Sequence, residues 1–181
     1  MSMDDRTPIY VGVAQVEQRE DDPRVAKEPL ELMVEAVQAA AADCGEPNIL
    51  QAADSVRVVR GIWGYGNPAR AVAARIGAPD AQTGITSLGG NYVQSLTNRS
   101  FLDIQSGKND IIIVTGGECG RTQARALKAG LKLDWNPLTR EPGANPTTAD
   151  DGDTPELFHG SNKVTRHEAE MKRGIARPIQ F

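Results

Sequence analysis

Between Pro8 and Lys128 the apolar positions switch repeatedly from one spacing to another. Ile9–Val16 (IYVGVAQV) is rich in β-branched residues and predicts a strand with Gly12 inside it. The polar stretch from Glu17 to Glu28 predicts a loop. Pro29 stands where a first helical turn tolerates proline, and Leu30, Met33, Val34, Val37, Ala41 and Cys44 recur at the helical period. Gly45 and Pro47 end that helix. Asp54–Arg60 (DSVRVVR) predicts a second strand, and Asn67-Pro68 supplies a cap and first turn for a helix running to Gly77. Gln82–Leu88 (QTGITSL) predicts a third strand, broken by Gly89-Gly90-Asn91. A helix follows from about Tyr92 to Ser106, with Val93, Leu96, Ser100, Phe101 and Ile104 on one side. Asp110–Thr115 (DIIIVT) is a continuous apolar run, which predicts a strand buried on both faces. After Gly116-Gly117, Arg121–Ala129 predicts a last, more polar helix.

Strands alternating with helices are the pattern of an α/β fold with a mainly parallel sheet and helices on both faces. This pattern assigns residues 8–130 to one domain. Residues 131–181 differ. Prolines 137, 142, 146, 155 and 178 interrupt them, Asp150–Asp153 (DDGD) reads as a turn, and the only helical stretch, about Ser161 to Arg173, has no apolar face. That irregular polar segment is too poor in core residues to fold alone.

Composition narrows the function. Twenty basic against 24 acidic side chains give a formal net charge of -4, which argues against a nucleic-acid partner and a polybasic membrane contact. Two cysteines are too few for a disulfide scaffold, and the N-terminus lacks the basic and apolar regions of a signal peptide. No apolar run approaches the length of a membrane span. A cytoplasmic protein is the expectation.

In open α/β sheets, ligands bind beyond the carboxyl ends of the strands. Three glycine-rich stretches fall there: Gly61–Gly66, Gly89-Gly90-Asn91 and Gly116–Gly120. Each also serves simply as a tight turn. Neither a dinucleotide fingerprint after the first strand nor a GK[ST] phosphate loop occurs. Gly89 and Gly90 open a helix whose free N–H groups suit a carbonyl or carboxylate oxygen, and Asn91 is placed to cap that helix. His159 and His167, eight residues apart near Asp150, Asp151 and Asp153, match no metal-ligand spacing and read as solvated. Cys44 reads as core. Cys119, at a strand end beside Glu118, is the cysteine placed for reactivity, with Arg121 the one nearby group that would lower its pKa.

Five segments together carry a family resemblance: PIYVGVAQV, PLELMVEAVQAAAADCG, DSVRVVR, NPARAVAARIGA and SLGGNYVQSLTNRSFLDIQSGKNDIIIVTGGE. They resemble the N-terminal half of a thiolase, and more narrowly the sterol-carrier-type thiolase-like proteins often named acetyl-CoA acetyltransferases. The likeness spans about Pro8 to Leu133, and the residues beyond resemble the start of that family's loop domain. It implies a coenzyme A thioester as ligand, an acyltransferase relationship within lipid metabolism, no resident cofactor or metal, and a homo-oligomer. Gly89, Gly90, Asn91 and Glu118 are the substrate-binding positions it points to.

Two departures accompany the resemblance. Counting back from Asp110, the family's nucleophilic cysteine falls at Gly90, which has no side chain to acylate. The family's remaining catalytic histidine and cysteine come from a C-terminal half that this sequence does not reach; it also ends before the last strand of the first half. The expectation is therefore a CoA-thioester-binding protein with a degenerate active site, not a competent thiolase on its own. The alternative is a non-catalytic subunit or scaffold completed by a partner chain, either a second half-thiolase or an OB-fold protein.

Overall fold

The structure, a computed structural model, describes residues 4–133, 135, 156–158 and 172. Helix α1 spans Pro29–Cys44, α2 Pro68–Arg75, α3 Tyr92–Gln105 and α4 Gly120–Lys128. The strands are β1 Ser55–Val58, β2 Gln82–Thr86, β3 Ile112–Thr115 and β4 Glu156–Phe158. They form one sheet in the order β3-β1-β2-β4, and every pairing is parallel. The register sets Ser55 beside both Gln82 and Ile112, so the three longer strands end level.

Local chemistry explains the helix starts. Glu28 and Glu31 form a reciprocal capping box ahead of α1, with Pro29 in the first turn. Asn67 accepts the Arg70 N–H at 3.0 Å and caps α2. Gly45 ends α1 in the left-handed conformation, at φ 78°.

The two faces of the sheet carry different material. Val56 and Val58 of β1 and Ile85 of β2 are fully buried, in one apolar cluster with Leu30 and Met33 of α1 and Ala69 and Val72 of α2. Each fully buried Val, Leu or Met contributes roughly 1.5–3 kcal/mol, so this layer is the main source of stability. Strand alternation turns Ser55 and Arg57 to the opposite face, toward α3. There Arg57 is buried, bonding Ser100 Oγ at 3.0 Å, Asp103 Oδ2 at 2.6 Å and Asn109 Oδ1 at 3.3 Å. Its guanidinium also lies 4.9 Å from the Phe158 ring centroid. Phe158 occupies the space where a side chain at Gly84 would stand, which is why β2 carries glycine there. Helices on both faces of a parallel sheet are what the alternating pattern predicted.

Two strand expectations are corrected. Among the described residues Ile9–Val16 joins no ladder of the sheet, and Ile9, Tyr10, Val11 and Val13 are exposed. Gly12 is pressed against Ala40 of α1, and the Val13 N–H donates to Asp43 Oδ2 at 2.9 Å. The apolar run Asp110–Thr115 is not buried on both faces either: among the described residues β3 stands at the edge of the sheet, Ile112 and Ile113 are half-buried, and Val114 is 39% exposed. The stretch Ser161–Arg173 lies outside the described residues, Lys172 excepted.

Candidate functional site

Because the strands are parallel and in level register, the loops after β1, β2 and β3 emerge along one edge. They bring Gly61, Ile62, Gly89, Gly90, Gly116, Gly117 and Glu118 to the wall of a single cavity of about 930 Å³. From this head the cavity continues as an apolar limb along β3, between Ala36, Val37 and Ala40 of α1 and the segment Tyr10–Ala14. Asn91 and Cys119, two further candidates from the sequence, are not on its wall.

Gly89 and Gly90 have different reasons to be glycine. Gly89 sits at φ 154°, and a Cβ there would stand 2.7 Å from Asn91 Oδ1 and 3.1 Å from the Tyr92 ring. Its carbonyl accepts the Tyr92 N–H at 3.0 Å, which closes the first turn of α3. A Cβ at Gly90 would meet nothing within 4 Å. The backbone therefore accepts a side chain at 90, and the space in front of it opens on the cavity. Asn91 is already in helical conformation and makes no side-chain cap bond, which corrects its expected capping role. Asn91 therefore caps none of the N–H groups that open α3, and that of Tyr92 goes to Gly89 O.

Glu118 braces the neighbouring loop. One carboxylate oxygen accepts the Ile62 N–H, and a Cβ at Gly61 would collide with that carboxylate and with the Trp63 indole nitrogen. The indole N–H donates to Gly117 O at 2.9 Å, and Gln123 Nε2 donates to Ile62 O at 3.2 Å. Glycine at 61 is thus what lets the loops after β1 and β3 lock together.

Cys119 is a core thiol. It is buried, and its Sγ donates to Lys27 O at 3.4 Å. Burial, and then the negative charges of Glu118 and Glu28, push its pKa up to about 11. The thiol is therefore held protonated at neutral pH. Arg121, the group expected to activate it, is engaged with Asp21 at 2.9 Å. Cys44, expected in the core, is half-buried on the cavity wall.

Two arginines escaped sequence reasoning. Arg60, a buried side chain at the end of the first strand pattern, lines the cavity, and burial holds its pKa below the usual arginine range. The only sequence signal was a lone charge closing a β-branched run. Arg57 had no signal, since Ser100, Asp103 and Asn109, which hold its guanidinium beside Ser55, lie 43 to 52 residues away. Among the described residues no group of His, Cys, Asp and Glu could hold a metal ion. His159, His167, Asp150, Asp151 and Asp153 lie outside those residues. No helix among them is long and apolar enough to cross a membrane.

No family model and no curated protein matches the chain. Among solved structures it is similar to the crystal structure of a monomeric SCP2-thiolase-like protein type 1 from Mycobacterium smegmatis. The match has a TM-score of 0.56 and 34% identity, and covers 64% of this chain. The fold is thus thiolase-like, of the sterol-carrier type. The chain spans about a quarter (24%) of that protein's length.

Proposed function

We propose that this chain is a thiolase-like CoA-thioester-binding module whose site holds an acyl thioester without forming a covalent acyl-enzyme. The observation that carries this reading is Gly90. It sits at the amino end of α3, facing open space on the cavity wall, where the family resemblance would put the nucleophilic cysteine. The leading N–H groups of α3 suit the partial negative charge of a thioester oxygen. Glycines at 89 and 90 let that oxygen approach the backbone, and Arg60 adds positive charge to the same wall. Beyond them the wall is apolar enough for an acyl chain. A covalent acyl-enzyme at residue 90 needs a side-chain nucleophile there, and glycine has none.

The test combines isothermal titration with acetyl-CoA and intact-mass measurement after incubation. We expect saturable binding with no mass increase. Gly90→Val fits the fold yet crowds the N–H groups, so it should weaken binding about tenfold, the loss of one charge-assisted hydrogen bond. Gly90→Cys should acquire an acetyl adduct at residue 90. No binding heat, unaltered affinity in Gly90→Val, or an adduct on Cys119 in the wild-type chain would overturn the reading.

A further inference from the structure

Both backbone groups of Ile62 are taken by side chains that follow β3. Its N–H donates to the Glu118 carboxylate, and its C=O accepts from Gln123 Nε2 at 3.2 Å, 56 and 61 residues further along the chain. The next residue is tied down as well, through the Trp63 indole N–H to Gly117 O at 2.9 Å. A surface loop ordinarily leaves such groups to water. Here the bonds fix one short stretch, and the side chain they hold in place is large, apolar and 59% exposed. A loop fixed during folding has less freedom left to lose when a ligand docks, which is how a contact residue is preorganised.

Ile62 lines the head of the cavity, which Gly89 and Gly90 also line. Leu88, the residue before that glycine pair, and Val93, in the first turn of α3, line the same cavity and are 44 and 52% exposed. Large apolar side chains therefore accompany the amino end of α3 on the cavity wall. A thioester held there by its oxygen has two substituents on the carbonyl carbon. The sulfur leads to the polar carrier, and the acyl group is the substituent that gains by burying apolar surface. Small-molecule sites join a few orienting polar groups to apolar walls in this way.

We infer that Ile62 is a specificity-determining residue of this site: it packs on the acyl group of the bound thioester and favours an apolar chain of several carbons over acetyl. Glu118 and Gln123 are its positioning residues. Glu118 also lines the cavity, whereas Gln123 does not, so Gln123 reaches the ligand only through Ile62. This inference rests on thioester binding at Gly90 and adds to it the class of acyl group.

The test is isothermal titration of the full chain with free CoA, acetyl-CoA and hexanoyl-CoA. The wild-type chain should bind hexanoyl-CoA about tenfold or more tighter than acetyl-CoA, since each fully buried methylene contributes about fourfold. Ile62→Ala should weaken hexanoyl-CoA binding about tenfold and leave free CoA within about twofold, whereas Ile62→Leu should keep both affinities. Gln123→Ala should reproduce about threefold of that loss, again with free CoA unaltered, because it releases one of the two bonds that hold residue 62. Equal weakening of all three ligands by Ile62→Ala would make Ile62 a structural residue and overturn the inference. A wild-type chain indifferent to acyl length overturns it too. So does an Ile62→Ala chain that keeps the wild-type preference, a result that assigns the exposed side chain to a protein contact. A wild-type chain that binds none of the three ligands instead removes the thioester reading itself, and this inference with it.

Discussion

The Arg57–Asp103 pair fixes α3, and with it the amino terminus at Gly90, to the centre of the sheet. Arg57 is 1% exposed and Asp103 4%. In Arg57→Met the Asp103 carboxylate loses its 2.6 Å partner and keeps Arg99, whose side chain is half-exposed, at 3.1 Å. Asn109 Oδ1 loses its donor as well, whereas Ser100 keeps its bond to Leu96 O at 2.8 Å. Removing one member of a buried pair costs about 3–5 kcal/mol, because the remaining charge stays buried and poorly compensated. For a folded region of this size that lowers the melting temperature by about 10–20 °C. Replacing both charges, as Arg57→Met with Asp103→Leu, removes the stranded carboxylate and should return stability to within about 2 kcal/mol of wild type. Urea denaturation of the two single variants and the double variant measures all three values. A cost below about 1 kcal/mol for Arg57→Met, or a double variant as unstable as that single one, would refute the assignment of this pair as the anchor of α3.

Two further substitutions probe the fold and the thiol. Gly84→Ala should displace the Phe158 ring from β2 and cost about 1–3 kcal/mol, the range for an overpacked core; limited proteolysis near residue 158 should accelerate, and an unchanged digestion rate would count against β4 as drawn. Cys119 should resist iodoacetamide in the folded chain at pH 8, while Cys44, half-buried on the cavity wall, reacts first. The Cys119 pKa is raised from 9.0 to about 11 in the fold, so the folded state holds a proton that the unfolded chain releases. Its contribution to stability is therefore present below pH 9 and is lost as pH rises from about 9 to about 11, and Cys119→Ala should remove that slope. Alkylation of native Cys119 at a free-thiol rate would contradict its buried, protonated state.

Much of this was legible in the sequence because it is local. The 3.6 period, Pro29, Asn67 and Gly45 mark helices whose starts and stops depend on residues a few positions away. The clustering of the glycine loops was also legible, since parallel strands in register must deliver their carboxyl ends to one edge. Properties set across long separations were not. The environment of Cys119 comes from burial, from the adjacent Glu118 and then from Glu28, with the carbonyl of Lys27, 92 residues away, accepting its hydrogen bond, and that of Arg57 comes from α3. No spacing rule reaches so far.

The two misread strands have another cause, and they share it. Among the described residues, Ile9–Val16 has the composition of a sheet strand yet joins no ladder, and Asp110–Thr115 has the composition of a central strand yet β3 stands at an edge. Both errors lie on the two sides of one groove. β-propensity reports fit to a pleated, half-buried surface rather than an intrinsic backbone preference, so each segment carries the marks of neighbours on both sides. A single strand between them would make both readings right at once. Both segments border one open groove, and the apolar residues that line it, Tyr10, Val11, Val13 and Val114, are exposed.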